Sequence, residues 1–432
     1  MLLSRYCKIY PHREDPTSVV MLSTKTASNI ILPEAMLKDI ESGSITDEEK
    51  ETLTNLGFIV NDHASEKSEM LRLIEELNAE DHVFKATAVM NLNCNLGCVY
   101  CFEGNRKGNF YMSRETAEAF VEFAINNIRD KHKEELQIVF YGGEPLLSID
   151  LIEYISGRLK NFSEENKITY KASIVTNGTL LTRSYAARLQ LVGIKDAAIT
   201  LDGPEYLHNA SRPFLSGSGS FKTIVQNIKD VGNILSIQLN GNYTGLNYRE
   251  FPHLLDFLSE QGLTPEFLPM VRFGPVSRET PDVAPPNFHG GCDCFNEQWV
   301  IDASIFLGEE IMKRGYAVPK LIPAPCMVQL KDRLYVNYDG AFYKCPGFIG
   351  REDFRVGDVK TGLSDYRQSH NLDNWKNEEC LNCAYLPLCF GGCRYMKLVR
   401  ERNMEGIDCR KPYFDAVLES LVKQDIAYKA QK

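Results

Sequence analysis

The chain has 432 residues, enough for two or three domains with sizeable apolar cores. Hydrophobic residues make up 44% and charged residues 25%, the proportions of a folded globular protein, which excludes wholesale disorder. A net charge of −10 argues against a broad grip on nucleic acid or on an anionic membrane, so the expected partners are small molecules, peptides or proteins.

Residues 1 to about 83 open with short extended runs (CKIY, VVMLS, NIIL). Helical patterns follow at Pro33–Ile40 and Asp47–Leu56, then GFIV, which reads as a small α+β unit resembling a winged helix. Met70, Leu71, Leu73, Ile74 and Leu77 give the segment 62–81 a helical period, so it should connect this unit to the next domain. From about Lys85 strands and helices alternate. Strands are expected at Ala86–Asn91, Leu136–Tyr141, Thr169–Val175, Ala197–Leu201, Leu235–Asn240 and Glu266–Val271. Helices are expected at Arg114–Arg129, Ile149–Phe162, Arg183–Val192, Phe221–Val231, Tyr248–Glu260 and Glu297–Arg314. Six βα units in succession imply a parallel sheet, either a partial barrel or a doubly wound sheet, and in a barrel the chemistry sits on the loops after the strands. The prolines between 268 and 291 (269, 275, 281, 285, 286) predict an irregular loop, which ends in Cys292-Asp293-Cys294. Beyond Cys326, Gly, Asp and Cys are frequent until an amphipathic helix near Pro412–Tyr428, so bound metal is expected to supply part of the folding energy there.

No stretch approaches the roughly 20 apolar residues of a membrane span, and charge interrupts MLLSRYCKIYPHRED too early for a secretory segment. The expectation is a cytoplasmic protein, whose 13 cysteines point to metal rather than to a disulfide scaffold. Cys7 alone reads as a small core residue.

After the first barrel strand stands Asn93-Cys94-Asn95-Leu96-Gly97-Cys98-Val99-Tyr100-Cys101-Phe102. Three thiolates are one short of a closed tetrahedral site, and soft thiolates suit zinc or iron-sulfur chemistry with an open position. This C-x3-C-x2-C array, with Tyr100 before its last cysteine, resembles the radical S-adenosylmethionine (radical SAM) superfamily. The resemblance implies a [4Fe-4S] cluster on Cys94, Cys98 and Cys101 that binds SAM at its open iron, and a 5′-deoxyadenosyl radical that abstracts hydrogen from substrate. Gly142-Gly143-Glu144-Pro145, after the second strand, resembles the motif for the SAM amino group. Ser173, Thr176 and Asn177 at the end of the third strand, and Thr200 and Asp202 at the end of the fourth, are by resemblance part of the SAM pocket. Arg212 is expected on the SAM carboxylate. H-x3-R at His208–Arg212, followed by the G-x-G-S-F run at 217–221, resembles the subgroup of sulfatase-maturing and peptide-modifying enzymes.

Cys326, Gly340, Cys345, Cys380-x2-Cys383-x5-Cys389-x3-Cys393 and Cys409 resemble the SPASM domain, which carries auxiliary iron-sulfur clusters; zinc is the other occupant that such spacing allows. Carried over by position, Cys326, Cys345 and Cys393 hold one auxiliary cluster, and Cys380, Cys383, Cys389 and Cys409 the second. The first of these lacks a ligand, which Cys292, Cys294 or a substrate thiol would supply, or which stays open. The expected architecture is therefore α/β: a partial (β/α)6 TIM barrel (84–316) between a winged-helix-like unit (1–83) and a SPASM domain (317–432).

The leading segment resembles that of geopeptide-type maturases, which implies that it recognises the leader of a ribosomal precursor peptide, for instance as an added strand. A peptide crosslink, a thioether before a carbon-carbon bond, is the expected product, with a flavodoxin or ferredoxin as electron donor. Two alternatives stand beside it. One is formylglycine formation on a sulfatase, against which Cys345 is followed by Pro346-Gly347 where the sulfatase maturases place an aspartate base. The other is a non-catalytic iron-sulfur redox or binding protein. The substrate base is unassigned.

Overall fold

The computed structural model describes residues 2–279, 288, 290–323 and 325–429. Near the N-terminus, SVVMLS at Ser18–Ser23 is buried along its whole length because it is the middle strand of a three-stranded antiparallel sheet, between Cys7–Pro11 and Asn29–Pro33. Helices Glu34–Ser42 and Asp47–Asn55 follow, the second started by a reciprocal capping box between Thr46 and Glu49. Leu2–Leu3 pairs antiparallel with Ile59–Val60. Helix His63–Ala79, capped where Asp62 accepts from the Ser65 N–H at 2.8 Å, buries Met70 and Ile74 beside Tyr6, Trp375 and Leu381. The N-terminal unit thus packs against the C-terminal region, which is remote in sequence.

The centre of the chain is a mostly parallel sheet with helices in alternation. Its strands are β1 (Val83–Val89), β2 (Glu135–Tyr141), β3 (Thr169–Thr176), β4 (Ile194–Thr200), β5 (Ser236–Tyr243) and β6 (Met270–Pro275). The helices are α1 (Arg114–Asp130), α2 (Ile149–Asn166), α3 (Arg183–Leu191), α4 (Phe221–Val231), α5 (Phe251–Glu260) and α6 (Gln298–Lys313). Their apolar faces form one core with the strands: Phe120, Val121 and Ala124 of α1 and Ile152, Ile155 and Leu159 of α2 pack with Ile138, Phe140 and Ile174. Residues at helical spacing on each helix thereby cover one side of the sheet.

Two expectations are corrected. The sixth strand lies at Met270–Pro275 rather than Glu266–Val271, so part of the proline-rich loop is regular structure. Among the described strands it pairs with β5 alone, with a further bridge from Met270 to Ala317 near its start, so Pro275, which lacks an N–H, is tolerated at its far end. The expected loop prolines 281, 285 and 286 lie outside the described residues. Second, the sheet has eight strands rather than six, in the order β6-β5-β4-β3-β2-β1-β7-β8, with β7 (Arg333–Val336) parallel to β1 and β8 (Phe342–Tyr343) antiparallel to β7. These strands come from the region expected to begin a separate domain at 317. They cover the backbone groups that β1 would otherwise present as an open edge.

The remaining C-terminal chain holds turns, a small hairpin of Gly357–Asp358 with Gly362–Leu363, single-turn helices at Glu378–Leu381 and Leu386–Cys389, and the longer helices α7 (Arg394–Glu401) and α8 (Lys411–Lys429). The last returns to α6, with Tyr413 Oη and Ser304 Oγ 3.0 Å apart and Gln424 Nε2 donating to the Ile305 carbonyl at 3.1 Å. Among the described residues no helix is long and apolar enough to cross a membrane.

Candidate active site

The loop after β1 carries Cys94, Cys98 and Cys101, and the loop after β2 holds it in place. The Gly143 N–H donates to the Asn91 carbonyl at 2.9 Å and the Glu144 N–H to the Asn93 carbonyl at 2.8 Å. A Cβ at Gly142 would stand 2.6 Å from Asn91 O, and one at Gly143 2.2 Å from Asn93 O, so only glycine allows these backbones to meet. From the third loop, Asn177 Nδ2 lies 3.7 Å from Cys94 Sγ and donates to Asn95 Oδ1 at 2.8 Å.

Glu144 is fully buried under this arrangement. Its carboxylate accepts from Thr176 Oγ1 at 2.7 Å, the Asn177 N–H at 2.8 Å and the Leu146 N–H at 3.0 Å. Burial pushes its carboxyl above the usual range, against those three donors. Glu144 and Pro145 tie the second loop to the third from beneath the site, while Gly142, Gly143, Thr176, Asn177 and Thr200 line its wall. Ser173 shares the strand face of Val175, one step deeper, and is not among the wall residues.

Asp202 accepts from the Tyr100 hydroxyl, from the Asn242 N–H at 2.7 Å and from Asn242 Nδ2 at 3.3 Å. Arg212 Nη1 donates to Tyr100 Oη at 2.8 Å and lies 3.9 Å from Asp202 Oδ2. A relay fixes this group from behind: the Asp202 N–H donates to His208 Nδ1 at 3.1 Å, His208 Nε2 donates to Ser220 Oγ at 3.0 Å, and Ser220 Oγ donates to the Arg212 carbonyl at 2.6 Å. With Nδ1 an acceptor, His208 is neutral, and burial with nearby Arg212 pushes it down to about 3.

Arg212 Nε is buried with no hydrogen-bond partner among the described residues, although the guanidinium lines the cavity. An anionic group there would satisfy it. Lys107 faces Cys101, Cys98 and Cys94, and these thiols raise its ammonium against the effect of burial. Three thiols with a cation beside them, an unpaired guanidinium nitrogen and a wall free of side chains at Gly142 and Gly143 fit a thiolate-held cluster and a carboxylate-bearing cofactor.

The C-terminal cysteines separate into two groups. Cys345 faces Cys393 and Cys326, and burial pushes its thiol well above the usual range. Cys380, Cys383, Cys389 and Cys409 line a second cavity of about 130 Å3. Burial pushes Cys380 up to about 11, and Cys383 and Cys389 upward, so loading metal here releases protons. The loop between Cys389 and Cys393 joins the two groups. Arg394, nearly fully buried, donates to the Phe390 carbonyl at 2.9 Å and the Gly392 carbonyl at 2.7 Å while facing Cys326, Cys393 and Cys389. Cys292 is buried with Val300 and Met396, in a group against which Cys393 also packs; its neighbouring charges are Glu297, Cys294 and Asp293. Neither Cys292 nor Cys294 lines the main cavity.

That cavity, about 1210 Å3, is lined by Cys94, Cys98 and Cys101 at one side and by Cys345 and Cys393 at another, and it reaches Leu22, Ala27 and Asn29 of the N-terminal sheet. Among the described residues no three His, Cys, Asp or Glu side chains converge on a single metal ion. Cys94, Cys98 and Cys101 line the main cavity, and Cys380, Cys383, Cys389 and Cys409 line the second. Lys107, Asn242, Glu103, Glu279 and Tyr395, which also border this space, escaped the sequence reading. Only Asn242, at the end of a barrel strand, carried a positional signal.

Residues 89–258 match the Radical SAM superfamily. The chain is 26% identical over 372 residues to the radical SAM cyclopropyl synthase TigE of Paramaledivibacter caminithermalis, covering 78% of this chain and 74% of that one. It is 26% identical over 380 residues to the cysteine-type anaerobic sulfatase-maturating enzyme of Clostridium novyi, covering 78% and 96%. Among solved structures, anSMEcpe with bound AdoMet and the Kp18Cys peptide superposes with a TM-score of 0.64 at 18% identity, over 81% of this chain and 99% of that one. Streptococcus suis SuiB bound to its precursor peptide SuiA gives 0.56 at 16% identity, over 94% and 98%.

Proposed function

We propose that this chain, a radical SAM enzyme by its residues 89–258, crosslinks a ribosomally made precursor peptide, with a thioether as the bond formed. The observation that carries the reading is the single cavity joining the thiols of the first loop, two thiols of the C-terminal region and the N-terminal sheet. A peptide is the kind of substrate long enough to occupy such a space at several points.

In this reading Cys94, Cys98 and Cys101 hold a [4Fe-4S] cluster, Arg212 meets the SAM carboxylate, and Tyr100, Gly142, Gly143, Thr176, Asn177, Thr200 and Asp202 shape the SAM site. When bound, cluster and SAM supply the 5′-deoxyadenosyl radical that takes a hydrogen atom from the peptide. Glu144, Ser173 and Pro145 support the walls. Cys326, Cys345 and Cys393 hold an auxiliary cluster, and Cys380, Cys383, Cys389 and Cys409 a second. Cys345 and Cys393 line the cavity, and in this reading a substrate thiol, rather than Cys292 or Cys294, is the fourth ligand of the first auxiliary site. Residues 1–83 act as a winged-helix-like unit that binds the leader, 84–316 as the catalytic barrel and 317–432 as the SPASM domain. The free edge at Asn29–Pro33, whose first residue lines the cavity, suits strand addition by a leader.

Sulfatase maturation is the second reading, favoured by the match over nearly the whole of the Clostridium novyi enzyme. Coexpression with a candidate precursor peptide, should the neighbouring reading frame encode one, followed by mass spectrometry, separates the two. A loss of two hydrogens with a blocked cysteine supports the crosslink. Unchanged precursor, together with formylglycine on a sulfatase peptide, would replace it by the second reading.

A further inference from the structure

We propose that Glu279 is the proton acceptor for the substrate thiol, an assignment that rests on the thiol-ligating reading above. The residue after Cys345 is Pro346, which has no proton-accepting side chain, and Gly347 follows. The fold brings a carboxylate to the same wall from another part of the chain. A Cβ at Gly347 would stand 2.3 Å from Tyr395 Cδ2, so the Tyr395 ring lies directly on this backbone. The Tyr395 hydroxyl donates to Glu279 Oε2 and lies within electrostatic reach of Cys345. Glu279, Pro346, Gly347, Tyr395, Cys345 and Cys393 all border the cavity.

Cationic side chains stand near this wall. Glu279 is only 7% exposed, and a buried anion needs compensation. Arg106, on the turn after Cys101, faces Glu279 and Tyr395, and Arg351 faces Arg106 and Tyr395. Glu103 lies within reach of the same Arg106. The Tyr395 hydroxyl donates to Glu279 and the Arg106 guanidinium lies near it, which places a hydrogen-bond acceptor on the cavity wall shared with Cys345, where a thiol that binds iron must lose its proton. In that step the S–H bond breaks, an O–H bond forms on Glu279, and the electron pair stays on sulfur; no oxidant is consumed.

Thiol ligation can be followed without the natural peptide. Holoprotein reconstituted to full iron content is mixed with 2-mercaptoethanol or a synthetic cysteine-containing tetrapeptide, and the change in cluster absorbance and electron paramagnetic resonance is timed at pH about 7 and about 9.5, either side of the ordinary thiol value of about 8.5. Glu279→Gln is expected to slow ligation about 100-fold at the lower pH, the usual scale for a lost general base. The gap should close at the higher pH, where the thiol ionises unaided. Glu279→Asp should recover part of the loss; if Glu279→Gln does not load iron, Glu279→Asp must show the same pH-dependent deficit to a smaller degree. Wild-type rates in Glu279→Gln, or an equal deficit at both pH values, overturn the assignment. A wild-type cluster indifferent to both thiols overturns the thiol-ligating reading and this assignment with it.

Discussion

The barrel and the C-terminal region are held together by different means. In the barrel, strands and helices bury an unbroken apolar core, with Phe120, Ile152, Ile155, Leu159, Ile174 and Ile199 essentially inaccessible to water. Beyond 340 the chain relies on short turns, on left-handed glycines such as Gly391 and Gly392, and on buried polar groups such as Lys344, His370, Arg394 and Asp408. Two groups of thiols sit among these charges. The buried apolar side chains of this region, Phe348, Trp375 and Phe390 among them, fall in several small clusters rather than one continuous core, so thiolate-bound metal, which converts binding energy directly into folding energy, is expected to contribute. The barrel should therefore fold first and independently, and the C-terminal region should follow its metal.

Withholding iron gives the largest expected effect. Hydrogen exchange should show β1 to β5 still protected while 345–410 exchanges freely; equal protection of both regions in iron-free protein would abolish the contrast. Holoprotein should carry about 12 irons per chain if all three sites hold four-iron clusters. Cys94→Ala should lower that to about 8 and remove SAM cleavage altogether, measured as 5′-deoxyadenosine release, without unfolding either region. Gly392→Ala acts where the two auxiliary groups meet: φ is +77° there, and a Cβ would lie 1.9 Å from Asp408 O. Iron should fall below about 12 while SAM cleavage at the first site persists, read by iron analysis and turnover. In the barrel, Ile155→Ala should cost about 2–5 kcal/mol in denaturant unfolding and leave iron content unchanged. Smallest is Ser220→Ala, which takes the acceptor from His208 and the donor from the Arg212 carbonyl. SAM affinity should weaken by about 1 kcal/mol, seen by calorimetry as roughly a five- to tenfold rise in Kd.

The barrel was more legible than its partner for the same reason. α4 was read at Phe221–Val231 and lies there, and α1, α2 and α3 begin where expected, because apolar periodicity marks any element that buries one face. The sixth strand was misplaced by four residues because Pro269 and Pro275 signalled a loop, and the end-of-strand position that excuses Pro275 is a property of the sheet. Strands β7 and β8 were missed because four-residue and two-residue elements have no period to detect.

Cysteine spacing placed Cys94, Cys98 and Cys101 on one loop, whereas the grouping of the later thiols came from the resemblance to the SPASM domain, which sets Cys393 with Cys326 and Cys345 rather than with its neighbour Cys389. What only the tertiary structure decided is who faces them. Lys107 beside the first thiols, the His208–Ser220 relay behind Arg212, and Glu279 beside Tyr395 are contacts closed across as many as 116 residues. Such pairings depend on where loops from separate strands meet above the sheet. That meeting point is set by strand order and register, which no local pattern encodes.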